Sequence, residues 1–379
     1  MTQLIKFIDM KHFNHFVYLG TLILALLFTT LNVNAQLDLP RGSQNATVSQ
    51  TVGTTKMYIN YSRPSVNGRA IWGNLVPYGM NNLGFGTATE SPWRAGANEN
   101  TIIKFSNDVT VEGKPLPAGK YGLHMIIKED GGATIIFSKS TASWGSFFYD
   151  PAEDALRVDV QTTTVPHTEQ LTFNFIDVTA NSATVVLDWE KKRIPFTIAT
   201  NVTENVLAYI REELKGQTGF QRQSWEQAAA YASNNNGDLD EALTWIDAAI
   251  AGQFFSQQDF NNTNIKAGIL NKMGKQQEAV ALLDAYMPQA TVLEVHQMGR
   301  QYIAMGMTDK ALEVFKYNAK KNADTWPTDY GLARGYSANG DYKKALAHLK
   351  KAHNRVPDPG NKAAIEANIA KLEKGEDIN

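Results

Sequence analysis

Pro195-Phe196-Thr197-Ile198-Ala199-Thr200-Asn201-Val202-Thr203-Glu204-Asn205-Val206-Leu207-Ala208-Tyr209-Ile210 is the stretch on which the architecture turns. Up to Ile198 apolar and polar positions alternate, as in a half-buried strand. From Asn201 onward Val202, Val206, Ile210 and Leu214 recur every fourth position, as along one face of a helix. A linking helix is therefore expected over 202–216, ended by Gly216. A period that changes from two to 3.6 at one point implies a β region, 43–200, followed by an all-α region.

Upstream of the switch, strand alternation is legible at Ala46–Val52, Lys56–Ser62, Thr101–Phe105, Asn107–Val111, Tyr121–Lys128 and Ala133–Ser138. It resumes at Leu156–Thr164, Gln170–Asp177, Ala183–Trp189 and Arg193–Ile198. Gly53-Thr54-Thr55, Glu112-Gly113-Lys114-Pro115 and Glu129-Asp130-Gly131-Gly132 read as hairpin turns. Many short strands with no helix between them favour a two-sheet antiparallel β-sandwich or a partly open barrel. Asp150, Glu153 and Asp154 could form a calcium or acid cluster, but a helix start at Asp150-Pro151 explains them more simply.

Between the strands lies a polar, glycine-rich interval, 67–100, with neither periodicity; long ordered loops of this kind often carry function. Its blocks are Tyr61-Ser62-Arg63-Pro64, Gly68-Arg69-Ala70-Ile71-Trp72-Gly73, Pro92-Trp93-Arg94-Ala95-Gly96-Ala97-Asn98-Glu99 and, just beyond, Leu116-Pro117-Ala118-Gly119-Lys120-Tyr121-Gly122-Leu123. By these blocks the β region, roughly Arg41–Ile198, resembles a family of exported proteins common in Bacteroidetes, domain-of-unknown-function family 2911. The resemblance implies an exported β domain and carries no activity with it.

Arg63, Arg69, Trp72, Tyr78, Trp93, Arg94, Glu99 and His124 form the candidate ligand site of the β region. Guanidinium forks suit carboxylate or phosphate, and flat rings offer stacking faces, including for sugars. The competing reading has the tryptophans plugging the loop against a sheet while the arginines pair with Glu90 or Glu99. His124 could be a general base, a metal ligand, or a sheet histidine bonded to a neighbour. Neither a Gly-x-Ser-x-Gly elbow nor a supported nucleophile–base pair is present, so no catalytic residue is assigned.

Downstream, Gly-x-x-x-x-Ala recurs at Gly237/Ala242, Gly274/Ala279, Gly306/Ala311 and Gly340/Ala345, with spacings of 37, 32 and 34 residues. The last unit is the clearest: Leu332, Ala333, Tyr336, Gly340, Tyr342, Ala345, Leu349, Ala352 and Pro357. These units resemble tetratricopeptide repeats, which implies four helical hairpins over 223–357 stacked as an α-solenoid, and Asn361–Leu372 reads as a capping helix (361–373). The residues after it read as a polar, frayed tail. The resemblance places the groove on the first helix of each unit. Carried over, its candidates are Gln227, Tyr231, Asn261, Asn264, Asn271, Lys272, His296, Arg300, Tyr330 and Arg334. Carboxamides can satisfy an extended peptide's backbone, and Arg300 and Arg334 could take a carboxylate.

The chain has 379 residues, enough for two or three domains. With 36 basic against 38 acidic residues it lacks the basic excess of a nucleic-acid binder. It has no cysteine, which excludes disulfides, thiolate nucleophiles, thiolate metal sites and a lipidated cysteine. His124, His167, His296, His348 and His353 show no paired ligand spacing, so neither metal nor cofactor is expected.

Lys6, Lys11 and His12, an apolar run from Phe16 to Leu31, and Val33-Asn34-Ala35 read as a signal peptide over 1–35 cut before Gln36, with Met10 as a second possible start. A retained membrane anchor is the competing reading, at the short limit for a spanning helix. The expectation is a periplasmic or secreted, non-enzymatic binding protein whose repeats engage a peptide or protein partner, without stable membrane insertion. Two alternatives stand beside it: a cell-envelope hydrolase of glycans or esters with its site in 63–124, and a structural module of an envelope assembly.

Overall fold

The computed structural model describes residues 39–379. The expected signal peptide lies outside the described residues. Two open antiparallel sheets come first. The larger has the order β1 (Gln44–Val52), β2 (Thr55–Arg63), β3 (Ile102–Phe105), β6 (Gly119–Ile127), β7 (Gly132–Ser138), β8 (Asp154–Gln161). The smaller has the order β5 (Lys114–Leu116), β4 (Val109–Val111), β10 (Ser182–Ala199), β9 (Thr163–Ile176).

One core lies between the sheets. Met57, Ile59 and Tyr61 of β2 and Leu123, Met125 and Ile127 of β6 join Leu171 and Phe173 of β9 and Val185, Leu187 and Phe196 of β10. Alternation along each strand puts these residues on the inner face, and each fully buried side chain of this kind is worth about 1.5–3 kcal/mol. Tyr61 also crosses the core, accepting a hydrogen bond from the Phe173 N–H (3.1 Å) and meeting its ring edge-on.

Three local readings need correction. The turn expected over 112–115 is a two-residue hairpin, Glu112 (φ 47°) and Gly113 (φ 76°), both left-handed as a type I′ turn requires. Lys114 and Pro115 already belong to β5, an edge strand, where a proline's missing N–H costs no ladder bond. Second, the strands expected at 183–189 and 193–198 are one: β10 runs through with register shifts on either side of Glu190 (φ 55°), a bulge that bends it over the core. Third, β9 begins at Thr163, ahead of the expected Gln170, because it follows the far half of β10.

The long loop is stitched into the sheet. β3 covers only the first part of β6, and beyond it the loop supplies partners. Thr101 O accepts from the Leu123 N–H, Trp93 and Met125 exchange both backbone bonds, and the Gly79 N–H donates to Ile127 O, all at 2.8 Å. Buried backbone groups that would otherwise be orphaned are thereby paired.

The helical part opens with α1 (Val202–Glu213) and continues as four pairs: α2 (Arg222–Asn234) with α3 (Leu239–Ile250), α4 (Phe260–Lys272) with α5 (Gln276–Tyr286), α6 (Val292–Ala304) with α7 (Thr308–Lys321), and α8 (Trp326–Ala338) with α9 (Tyr342–Arg355). α10 (Pro359–Glu373) follows. Ala242, Ala279, Ala311 and Ala345 are fully buried, so the helices of each pair approach closely where the repeat demands a small residue. Phe315 sits where helices converge: a Cβ on Gly299, Gly331 or Gly335 would fall 2.4, 2.5 or 2.9 Å from its ring.

The two parts meet without a spacer. The Thr55 and Thr200 hydroxyls are 2.8 Å apart, and the Asn205 amide donates to both. The β1–β2 turn presses on α1 so tightly that a Cβ on Gly53 would lie 2.5 Å from Val202 Cγ2.

Candidate functional site

The residues singled out in the β loop converge only in part. Arg63 ties the loop's start to the second sheet, donating to Leu171 O (2.9 Å) and Thr172 Oγ1 (2.6 Å). Arg69 donates to the carbonyls of Val66 and Ser65, closing its own turn. Arg94 donates to Asn98 O (2.8 Å) and lies 5.3 Å above the Phe147 ring, with its pKa lowered by burial. None of these pairs with Glu90 or Glu99, contrary to the expected pinning. Glu99 instead meets Arg41, whose hydrogen bond holds its carboxyl below the usual range. Tyr78 is partly exposed and lies over Gly73.

Trp72 meets Trp93 edge-on (5.8 Å) and Trp189 edge-on (6.0 Å), while Trp93 stacks on Trp189 (6.0 Å, 14° between planes). The indole N–H groups of Trp72 and Trp189 are buried without a partner. A cavity of about 290 Å³ opens beside them, lined by Arg69, Trp93, Arg94 and Trp189 among others. The site thus gathers three of the eight expected residues and adds Trp189, which alternation had marked only as a strand residue.

His124 is 3% exposed; Nδ1 lies 2.9 Å from Ser146 Oγ and the ring meets Tyr149 edge-on. Burial, and then the nearby Arg94 charge, bring its pKa down to about 4. This serine–histidine pair was not visible in the sequence, because the partners come from a strand and a loop whose approach only the fold sets. Ser146 is 1% exposed, so a substrate carbonyl has no path to its oxygen. Glu99 and His124 take different partners, Arg41 and Ser62 for the one and Ser146 for the other. Tyr149, pushed up by burial and by Asp154, joins Arg157 and Asp154 in a hydrogen-bonded cluster. Asp150 caps a single 3-10 turn through the Ala152 N–H, which is the role that the helix-start reading gave it. Among the described residues, no group of three or more His, Asp or Glu is placed to hold a metal ion.

The helical array presents a more continuous surface. Gln227, Asn264, His296 and Tyr330 each lie ten residues before a turn glycine, and Tyr231, Gly268, Arg300 and Arg334 each lie six before it. Equivalent positions in stacked repeats share one face. A cavity of about 340 Å³ opens there between α2, α4 and α6, lined by Asn234, Asn264, Gly268, Asn271, Lys272 and Gln301 among others. Asn264 Oδ1 is buried with no partner. Lys272 reaches Ser233 O (2.6 Å) and Asn234 Oδ1 (3.0 Å), and Asn261 donates to Glu226 (2.9 Å).

At the other end of the array His296 is half-buried: Nδ1 is 3.0 Å from Pro327 O, its ring lies against Phe315 and Tyr330, and desolvation lowers its pKa to about 4. Arg334 stacks on Tyr330 (4.7 Å), and burial lowers its pKa. The expected frayed tail is not frayed. Residues 376–379 turn back onto α8, and Ile378 is 5% exposed within the last unit's core. A lone aliphatic residue in Lys374–Asn379 was the one signal of this in the sequence.

Residues 43–198 match the family model described as a protein of unknown function, DUF2911. No curated protein matches the chain. Solved structures similar to the helical part include TTC0263, a thermophilic TPR protein in Thermus thermophilus (17% identity, 46% of this chain and 91% of that one, TM-score 0.34). MamA (15% identity, 44% and 92%, TM-score 0.31) and YrrB, a TPR protein with an unusual peptide-binding site (18% identity, 44% and 84%, TM-score 0.29), are similar in the same way. The match to the APC/C hetero-tetramer Cut9-Hcn1 spans only 33% of that chain, at 17% identity and a TM-score of 0.32. No helix among the described residues is long and apolar enough to cross a membrane.

Proposed function

We propose that this chain is an exported, non-enzymatic interaction protein whose helical repeats hold an extended peptide or protein segment on the face shared by α2, α4, α6 and α8. The observation that carries this is the cavity between α2, α4 and α6, which carboxamides from successive first helices line and beside which the Asn264 oxygen is buried without a partner. An extended chain has unpaired N–H groups along its length, and Asn and Gln side chains can both donate to and accept from it. Lys272 supplies positive charge at the rim. The β region supports the array, and its tryptophan-lined cavity is a second, smaller place where a ligand could be received.

The test is crosslinking of the native chain in its own cells, read by mass spectrometry, beside a variant with Asn264→Leu and Asn271→Leu. Crosslinks from the array to partner segments should disappear in the variant while its circular-dichroism melt stays within a few degrees of the unaltered chain. Unchanged crosslinks, or crosslinks confined to the β region, would refute the reading. Export is tested separately, by N-terminal sequencing of the mature protein: a start at Gln36 is expected, and an intact Met1 or Met10 refutes it.

A further inference from the structure

Lys371–Asn379 ends α10 and then reverses. The Gly375 N–H donates to Leu372 O and the Glu376 N–H to Lys371 O, both at 3.0 Å, with Gly375 at φ 76°. This is a Schellman closure, and its left-handed glycine sends the chain back across α8. There Ser337 Oγ donates to the Asp377 carboxylate (2.6 Å) and accepts from the Ile378 N–H (3.2 Å). Arg334 Nη1 donates to Ile378 O and Asn379 Oδ1 (both 3.3 Å), and the Asn379 amide donates to Arg334 O (3.1 Å). The Ile378 side chain is buried.

These contacts are those of a bound peptide, with main-chain groups paired to helix side chains, one carboxylate held and one aliphatic side chain seated. Their location is what gives them meaning. Arg334 and Ser337 lie six and three residues before Gly340, the positions that Gly268 and Asn271 hold before Gly274 in the wall of the cavity between α2, α4 and α6. The tail therefore lies along the same repeat face, one end removed from the open cavity. It fills the place incompletely, since Arg334 Nε stays buried without a partner.

We infer that residues 376–379 are a resident occupant of this face, standing in for a partner segment that carries an acidic residue followed by an aliphatic one, and that such a segment must displace them to dock fully. The inference rests on the groove reading above and names the partner chemistry and the regulation of that same face.

The test uses a fluorescein-labelled peptide copying residues 374–379, read by fluorescence anisotropy. A tethered segment competes at an effective concentration in the millimolar range, so the unaltered chain should bind the peptide poorly. Full-length Ile378→Asp, which expels the tail without shortening the chain, should bind it at least tenfold more tightly. Adding Arg334→Glu to that variant should reverse the gain. A chain ending at Lys374 serves in its place if Ile378→Asp loses helical circular dichroism. Equal binding by unaltered and tail-expelled chains, or no binding by a tail-expelled chain that keeps its helical signal, overturns the inference. Loss of crosslinks in the Asn264/Asn271 variant with no such preference would leave the groove reading standing and remove only the tail's role. Persistence of those crosslinks would remove the groove reading itself, whatever the peptide does.

Discussion

Lowering the pH from about 7 to about 5 should weaken each half of the molecule through one histidine, buried His124 in the β region and half-buried His296 in the array. His124 faces Ser146, Tyr149 and Arg94 in the β region. His296 faces Pro327 O, Phe315, Tyr330, Arg300 and Arg334 in the array. Burial lowers each folded-state pKa to about 4 from an ordinary 6.5. The depressed value belongs to a base, so the folded state keeps the neutral ring while the unfolded chain takes up a proton below about 6.5. Between that pH and about 4 the unfolded state binds more protons, and stability falls as pH falls. The slope is about 1.4 kcal/mol per pH unit for each histidine, roughly 2 kcal/mol at pH 5 and about 3 kcal/mol over the window. Above the window the contribution is fully present. Urea melts of a chain carrying Trp225→Phe, Trp245→Phe and Trp326→Phe, followed by tryptophan fluorescence, report the β region, and far-ultraviolet circular dichroism reports the helices. His124→Gln should flatten the pH dependence of the fluorescence transition and leave that of the helical one, and His296→Gln should do the converse. Either substitution will shift the stability at pH 7, so the slope is the readout. Slopes unchanged in both variants would refute the assignment.

Other substitutions follow from close contacts. Gly331→Ala would gain about 1 kcal/mol of helix propensity but place a Cβ 2.5 Å from the Phe315 ring, and overpacking costs ~1–3 kcal/mol, so the helical melt should fall. Phe315→Leu in the same chain should recover part of the loss, and a double-mutant cycle showing no coupling would count against this packing. Gly53→Val combines a left-handed φ of 56° with a contact 2.5 Å from Val202, so it should loosen the joint and expose 200–202 to limited proteolysis; an unchanged digestion pattern would contradict that contact. Arg63→Met removes two bonds between the loop and β9 and should lower the β transition by about 1–3 kcal/mol in urea melts, with no change meaning that the loop is held elsewhere.

The fold was legible where a local period carried it. The switch at Asn201 marks the passage from β10 to α1, and the Gly/Ala spacing marks each helical pair, because turn glycines and buried alanines answer to local geometry. Readings that depended on distant partners fared differently. Arg63, Arg69 and Arg94 read as anion ligands or carboxylate partners, and each donates to at least one backbone carbonyl, a partner that leaves no trace in side-chain patterns. The strands at 183–189 and 193–198 read as two because the charged residues 190–192 interrupt the alternation, and only pairing to β9 shows a single bulged strand. The tryptophan-lined cavity required Trp189 to arrive from a strand far along the chain, and the tail's docking required Ile378 to find a pocket that the preceding repeat builds.

Only Thr200 and Asn201 stand between the last strand and α1, and both are engaged: Thr200 with Thr55 and Asn205, Asn201 as the cap that accepts from the Glu204 N–H. A hinge needs residues that can change their backbone angles without breaking anything, and none is left here. A segment held on the proposed helical face would consequently be presented at a set angle to the sheets, as by a bracket and not a tether. A pull on it would reach the β1–β2 hairpin as torque with no slack to absorb it.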